Sequence, residues 1–159
     1  MIERVISGGQ SGGDRGGLDG AIRFWGNTDR IGGWCPAGRR SEEGPIPGRY
    51  PLQETAEWAY PPRTELNVKE SDGTVIFVAG PLTPGSKLTL KYCEEQCKPS
   101  LLIDIALASS AEAVECLVDW ADGYQIKTLN VAGSRESTVP GLQEWVAVVI
   151  HDTLKELSL

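Results

Sequence analysis

Arg4-Val5-Ile6-Ser7-Gly8-Gly9-Gln10-Ser11-Gly12-Gly13-Asp14-Arg15 decides the fold. A short apolar run ends in glycines, and Gly17 to Trp25 follows with Leu18, Ile22 and Trp25 at helical spacing. That order predicts a strand, a tight loop and a helix. Glycine tolerates positive φ and lets an anion approach backbone amides. The helix start adds about half a positive charge. The stretch is therefore a candidate anion-binding loop for a phosphate-bearing ligand, with Gly9, Gln10, Ser11, Gly12 and Asp14 as candidate contacts. Its spacing is neither G-x-G-x-x-G nor G-x-x-x-x-G-K-[ST], so neither motif's mechanism applies. A tight β-to-α connection without a ligand is the competing reading. Asp14 is read first as a helix cap, then as a partner for loop amides or for a ligand amine.

The same unit recurs downstream. Thr74 to Ala79 is an unbroken apolar run with β-branched residues, as in a central parallel strand. It ends in Gly80-Pro81-Leu82-Thr83-Pro84-Gly85-Ser86-Lys87, before a helix from about Lys87 to Gln96 with Thr83 or Ser86 as cap. Ser100 to Ile105 is a further strand, and Ser109 to Trp120 a helix with Ala113, Cys116, Leu117 and Trp120 inward. Thr128 to Ala132 is the next strand, followed by the loop Gly133 to Thr138. Pro140 then opens a last helix carrying Leu142, Trp145, Val146, Val149, Ile150 and Leu154. The pattern predicts an α/β fold, a Rossmann-like, open, mostly parallel sheet with helices on both faces. It is read as one domain over residues 1–159. Ligands in such sheets lie beyond the carboxyl ends of the strands. Gly80, Thr83, Gly85, Ser86, Lys87, Gly133, Ser134 and Arg135 therefore join the candidate contacts, since all three glycine-bearing loops fall at that edge.

Between these units, Trp34 to Pro62 holds six of the ten prolines, which excludes long helices and central strands. Trp34, Tyr50, Trp58 and Tyr60 argue against disorder. The expectation is an ordered loop that packs on the domain and supplies Arg39, Arg40, Arg49 and Arg63 to the site. Thr64 is read as the cap of a short helix from Glu65 to Ser71.

The 159 residues suit one globular core, with 40% hydrophobic and 23% charged residues. The formal net charge of −7 argues against nucleic acid as a partner. Arginines concentrate in the first fifty residues and acids in the last sixty, an arrangement suited to a small anion rather than a polyanion. No apolar run reaches membrane-spanning length, and Met1 to Val5 reads as a strand start rather than a signal peptide. Cys35, Cys93, Cys97 and Cys116 lack zinc-type spacing and read as reduced thiols of a cytoplasmic protein. Cys35 is read as a small buried hydrophobe before a soft-metal ligand. His151 stands on the last helix, away from every loop.

Several stretches resemble the so-called molybdenum carrier family, also described as circularly permuted YpsA-like within the SLOG superfamily. They are Gly8 to Arg15, Gly33 to Arg40, Gly44 to Pro47, Arg49 to Thr55 and Asn130 to Ser137. The run Trp34-Cys35-Pro36-Ala37-Gly38-Arg39-Arg40 is the specific one. The resemblance implies a Rossmann-like fold that binds the molybdenum cofactor, a molybdopterin with a terminal phosphate, as a carried ligand. The phosphate is expected on Gly9–Gly13 or Gly85–Lys87, with Arg39, Arg40 or Arg135 neutralising it. A nucleotide-derived ligand, sensed or processed, is the alternative. Superfamily phosphoribohydrolases carry a glutamate where Tyr92 stands here, which weakens the enzymatic reading. A homo-oligomer is expected from an exposed last helix.

Overall fold

The computed structural model describes residues 1–159. The elements are β1 (Arg4–Ile6), α1 (Gly13–Trp25), β2 (Ile31–Gly32), β3 (Trp34–Cys35), β4 (Gln53–Glu54), α2 (Pro61–Glu70), β5 (Gly73–Val78), α3 (Pro84–Glu95), β6 (Ser100–Asp104), α4 (Ser110–Gly123), β7 (Thr128–Gly133) and α5 (Leu142–Leu157). Five strands form one sheet in the order β2-β1-β7-β5-β6, and every pairing is parallel. Val75 lies between Leu101 and Val131, and Leu129 sits beside Val5. The two short strands of the long loop, β3 and β4, pair separately in parallel.

Side chains alternate across a strand, so neighbours in β5 face opposite helical layers. Phe77 meets Trp145 of α5 edge-on, with ring centroids 6.1 Å apart. Thr74, on the opposite face, meets Cys93 of α3. Helices α1, α5 and α4 pack together on the first face, and α2 and α3 on the second. The expected α/β architecture is present.

Four local expectations change. Helix α1 begins at Gly13, four residues before the expected start at Gly17, because the turn needs only Gly12 at φ 84° to enter it. Helix α2 starts at Pro61, where two prolines suit the first turn, and Thr64 is inside it, buried, donating to the Tyr60 carbonyl at 3.3 Å. Helix α5 is not an exposed surface: Leu142, Val146, Val149 and Ile150 are fully buried between α1 and α4, and Trp145 is half-buried. The exposed helix that suggested an oligomer is therefore the centre of one layer. Cys116 points to solvent rather than inward. No helix is long and apolar enough to cross a membrane.

The packing of α1 sets the geometry of the ligand edge. An ideal Cβ at Gly16 would stand 2.6 Å from the Gln143 carbonyl oxygen, and one at Gly20 2.5 Å from that of Ala147, both in α5. At Gly13 it would stand 2.7 Å from the Gly133 Cα of β7. Alanine favours a helix over glycine by about 1 kcal/mol, yet overpacking against backbone costs about 1–3 kcal/mol. Gly20→Ala is therefore expected to lower the unfolding free energy in urea despite its better helix propensity. An unchanged or raised stability contradicts the close approach.

Candidate functional site

The three glycine-bearing loops meet. A cavity of about 540 Å³ opens beyond the carboxyl ends of β7 and β1, within the range that small ligands occupy. Its walls are Gln10 and Asp14 from the first loop, Thr83 to Ser86 from the start of α3, and Ala132 to Arg135 with Thr138 from the end of β7. The second-face helices complete it with Tyr60, Pro61, Arg63 and Thr64 of α2 and Leu88 and Thr89 of α3. A niche of about 10 Å³, room for one water, adjoins it beside Asp14, Arg63 and Asn67.

From Gly9 to Gly13 the first loop offers no open amide. Gly9 N–H donates to Ser7 Oγ at 3.2 Å, Gln10 N–H to Asp14 Oδ2 at 3.3 Å and Ser11 N–H to Gln10 Oε1 at 3.1 Å. Gly12 N–H donates to Gln143 Oε1 at 3.2 Å and Gly13 N–H to the Ser134 carbonyl at 3.0 Å. Glycine at position 12 is required for contact, since a Cβ there would lie 2.2 Å from the Ser134 oxygen. What this loop presents to the cavity is two side chains, Gln10 and Asp14. At the α3 end, Thr83 caps the helix, its Oγ1 accepting from Ser86 N–H at 3.3 Å. Gly85 is open there, with nothing within 4 Å of a Cβ position.

The remaining predicted contacts divide. Ser134 and Arg135 line the cavity as expected. Ser11 instead binds Glu42, which also takes the Ser137 hydroxyl at 2.5 Å and the Ser137 amide at 3.2 Å. Burial opposes the Glu42 charge, but these hydroxyl and amide donors and Arg135 outweigh it and hold its pKa below the ordinary carboxylate range. Gly80 donates to both oxygens of Asp104 at 3.2 Å, and Lys87 is exposed outside the cavity wall. Arg39 is a clasp for its own loop: it donates to the carbonyls of Ile46 (2.9 Å), Pro47 (2.8 Å), Tyr50 (2.8 Å) and Leu52 (3.4 Å). Arg49 stacks on the Tyr50 ring at 4.7 Å, remote from the cavity wall. Arg40 lies between the rings of Trp58 (5.0 Å) and Tyr60 (4.3 Å) at the rim.

Of the four loop arginines, Arg63 alone enters the wall, and nothing in its spacing singles it out. Its Nη1 stands 3.4 Å from Asp14 Oδ2, with side-chain exposures of 13% and 4%. Tyr60 and Thr64 have no sequence signal as wall residues, since only folding brings α2 to the strand ends. Two buried nitrogens here have no acceptor: Gln10 Nε2 and Arg63 Nε. Buried donors are nearly always satisfied, so these two stand out in the inner wall. Cys35 is buried away from the cavity, and burial pushes its thiol pKa up, which disfavours the thiolate a soft metal needs. No three His, Cys, Asp or Glu side chains stand together as a metal set.

A model of the circularly permutated YpsA SLOG family matches residues 5–154. The chain belongs to that family. It is 39% identical to a protein from Syntrophus aciditrophicus SB described as "Putative molybdenum carrier protein", whose crystal structure superposes with a TM-score of 0.91 over 96% of this chain and 95% of that one. No curated protein matches.

Asp14 gives a direct check on the wall. Burial is the largest influence on its pKa and raises it, with Arg63, the Gln10 amide and Arg15 only partly offsetting. A raised folded pKa means the group favours folding at low pH, and that contribution is lost as pH rises through it. Once pH passes the raised folded pKa, the ionised carboxylate costs stability. Asp14→Asn is expected to raise the thermal midpoint at pH 7, with the gain shrinking as pH falls into the carboxylate range near about 4. A variant less stable at pH 7 means that the Arg63 pair outweighs burial.

Proposed function

We propose that this family member binds and carries the molybdenum cofactor or a related phosphorylated pterin, without turning it over. The observation that carries the reading is the mixed wall of the cavity: two guanidinium groups, Arg63 and Arg135, against one carboxylate, Asp14. That balance favours a guest with net negative charge inside a protein of net charge −7. Arg135 is exposed and forms no ion pair, and it lies 5.1 Å from the Tyr60 ring, so it is available to a phosphate. The open Gly85 at the α3 start adds the favourable end of a helix. The metal would arrive held by the ligand's own sulfur atoms, and this chain's residues would bind the phosphate and the ring.

Mass spectrometry of the small molecule that co-purifies under anaerobic conditions tests this. A molybdopterin or phosphorylated pterin is expected, and Arg135→Ala protein should retain about a tenth of it or less, since a charge-assisted hydrogen bond is worth about 1.5–3 kcal/mol. Recovery of a plain nucleotide contradicts the cofactor reading. Asp14 favours a second reading, because it is the one carboxylate in the cavity wall and could serve as an acid or base. Release of free base from nucleoside monophosphates by the purified protein, abolished in Asp14→Asn, would establish it in place of the first.

A further inference from the structure

The two ends of the cavity differ in chemistry. At the inner end, Gln10 Oε1 accepts from both Ser11 N–H (3.1 Å) and Glu42 N–H (2.9 Å). Those two donors fix the amide orientation, so Nε2 remains a donor, in a residue only 4% exposed and with no acceptor in the protein. Arg63 Nε is a second buried donor in the same state. Beside them Asp14 accepts two long bonds on Oδ2, at 3.3 and 3.4 Å, and faces the Gly133 amide, whereas a carboxylate has room for about four. Gln10, Arg63 and Asp14 line one cavity, so two donors without partners and one acceptor belong to the same wall. At the rim, Arg40 and Arg135 flank Tyr60 and neither forms an ion pair. A phosphate suits the rim; at the inner end the Asp14 carboxylate would repel it.

The geometry points to an inner subsite that reads a 2-amino-4-oxo-pyrimidine edge, the edge that pterins and guanine share, with the phosphate directed outward to Arg135. Asp14 accepts from the ring N–H and the exocyclic amine, and Gln10 Nε2 and Arg63 donate to the ring carbonyl. The inference rests on the binding role proposed above and fixes which edge of the ligand enters first. Hypoxanthine keeps the carbonyl and lacks the amine. Adenine presents an amine where the carbonyl should be, setting donor against donor, and unpaired polar groups in a buried site discriminate strongly.

Calorimetric titration of the full chain with GMP, IMP and AMP tests it. GMP is expected to bind most tightly, IMP about tenfold more weakly, and AMP more weakly again by about tenfold or more. Asp14→Asn should erase the preference for GMP over IMP. Gln10→Glu keeps the oxygen that Ser11 and Glu42 use and should erase the preference for GMP over AMP. Thermal unfolding of each variant confirms that it is folded. Equal affinities for the three nucleotides, failure to bind GMP, or variants with unaltered ratios overturn the inference. GMP selectivity in a protein that never carries molybdenum overturns the cofactor reading and leaves this one standing. Recovery of the cofactor together with indiscriminate nucleotide binding does the reverse.

Discussion

The ligand edge depends on how closely α1 lies against β7 and α5. Gly13, Gly16, Gly17 and Gly20 give that helix a bare face, and each would drive a Cβ into Gly133, Gln143, Val131 or Ala147. Glycine in a helix costs about 0.5–1 kcal/mol each in lost propensity, so the contact must return more than that in buried surface. The core around it is continuous, from Leu18 and Ala21 through Val131 to Val146 and Ile150. The same approach brings Gly12 against Ser134 and lets Gln143 and Ser134 take the first amides of α1. The glycines thus serve helix packing, and the loop they end in is closed on itself. The guest is met by side chains instead.

That division of labour extends to the arginines. Arg15 is buried and donates to Gly9 O, Ser41 Oγ and Glu43, tying the proline-rich loop to the first turn. Arg39 gathers four carbonyls of the loop, and Glu42 bridges Ser11 to Ser137. These contacts hold Tyr50 fully buried in a segment with little regular structure. The loop therefore acts as a fastener between the ends of β1 and β7. Only Arg40, Arg63 and Arg135 remain near Tyr60, each with its guanidinium carbon within 5.4 Å of the ring centroid. Three cations around one ring repel one another, and an anion at the rim would relieve that.

Much of this was legible in the residues. Strand and helix order follows from apolar period, so β5, β6, β7 and their helices stand close to where the pattern puts them. The convergence of the three loops follows from the parallel topology. The roles of individual side chains were not legible. Arg39 and Arg63 look alike in sequence, and whether a guanidinium meets carbonyls or a cavity depends on how the loop coils. Cys116 and the helix α5 were misread for a related reason: amphipathic spacing shows that a helix has an apolar side, not how many neighbours cover it. The closed amides of the first loop were hidden because Gln143, which takes one of them, lies 131 residues away in the chain.

The claim at the centre is that the glycine loop is a lock made by the protein itself and owes nothing to the ligand. Amide hydrogen exchange on the ligand-free protein reads this directly. Slow exchange at Gly12 and Gly13, unchanged when a phosphate-bearing ligand is added, is the predicted result. Fast exchange at both that slows only on ligand addition would mean that these amides are the anion site, and would contradict the account.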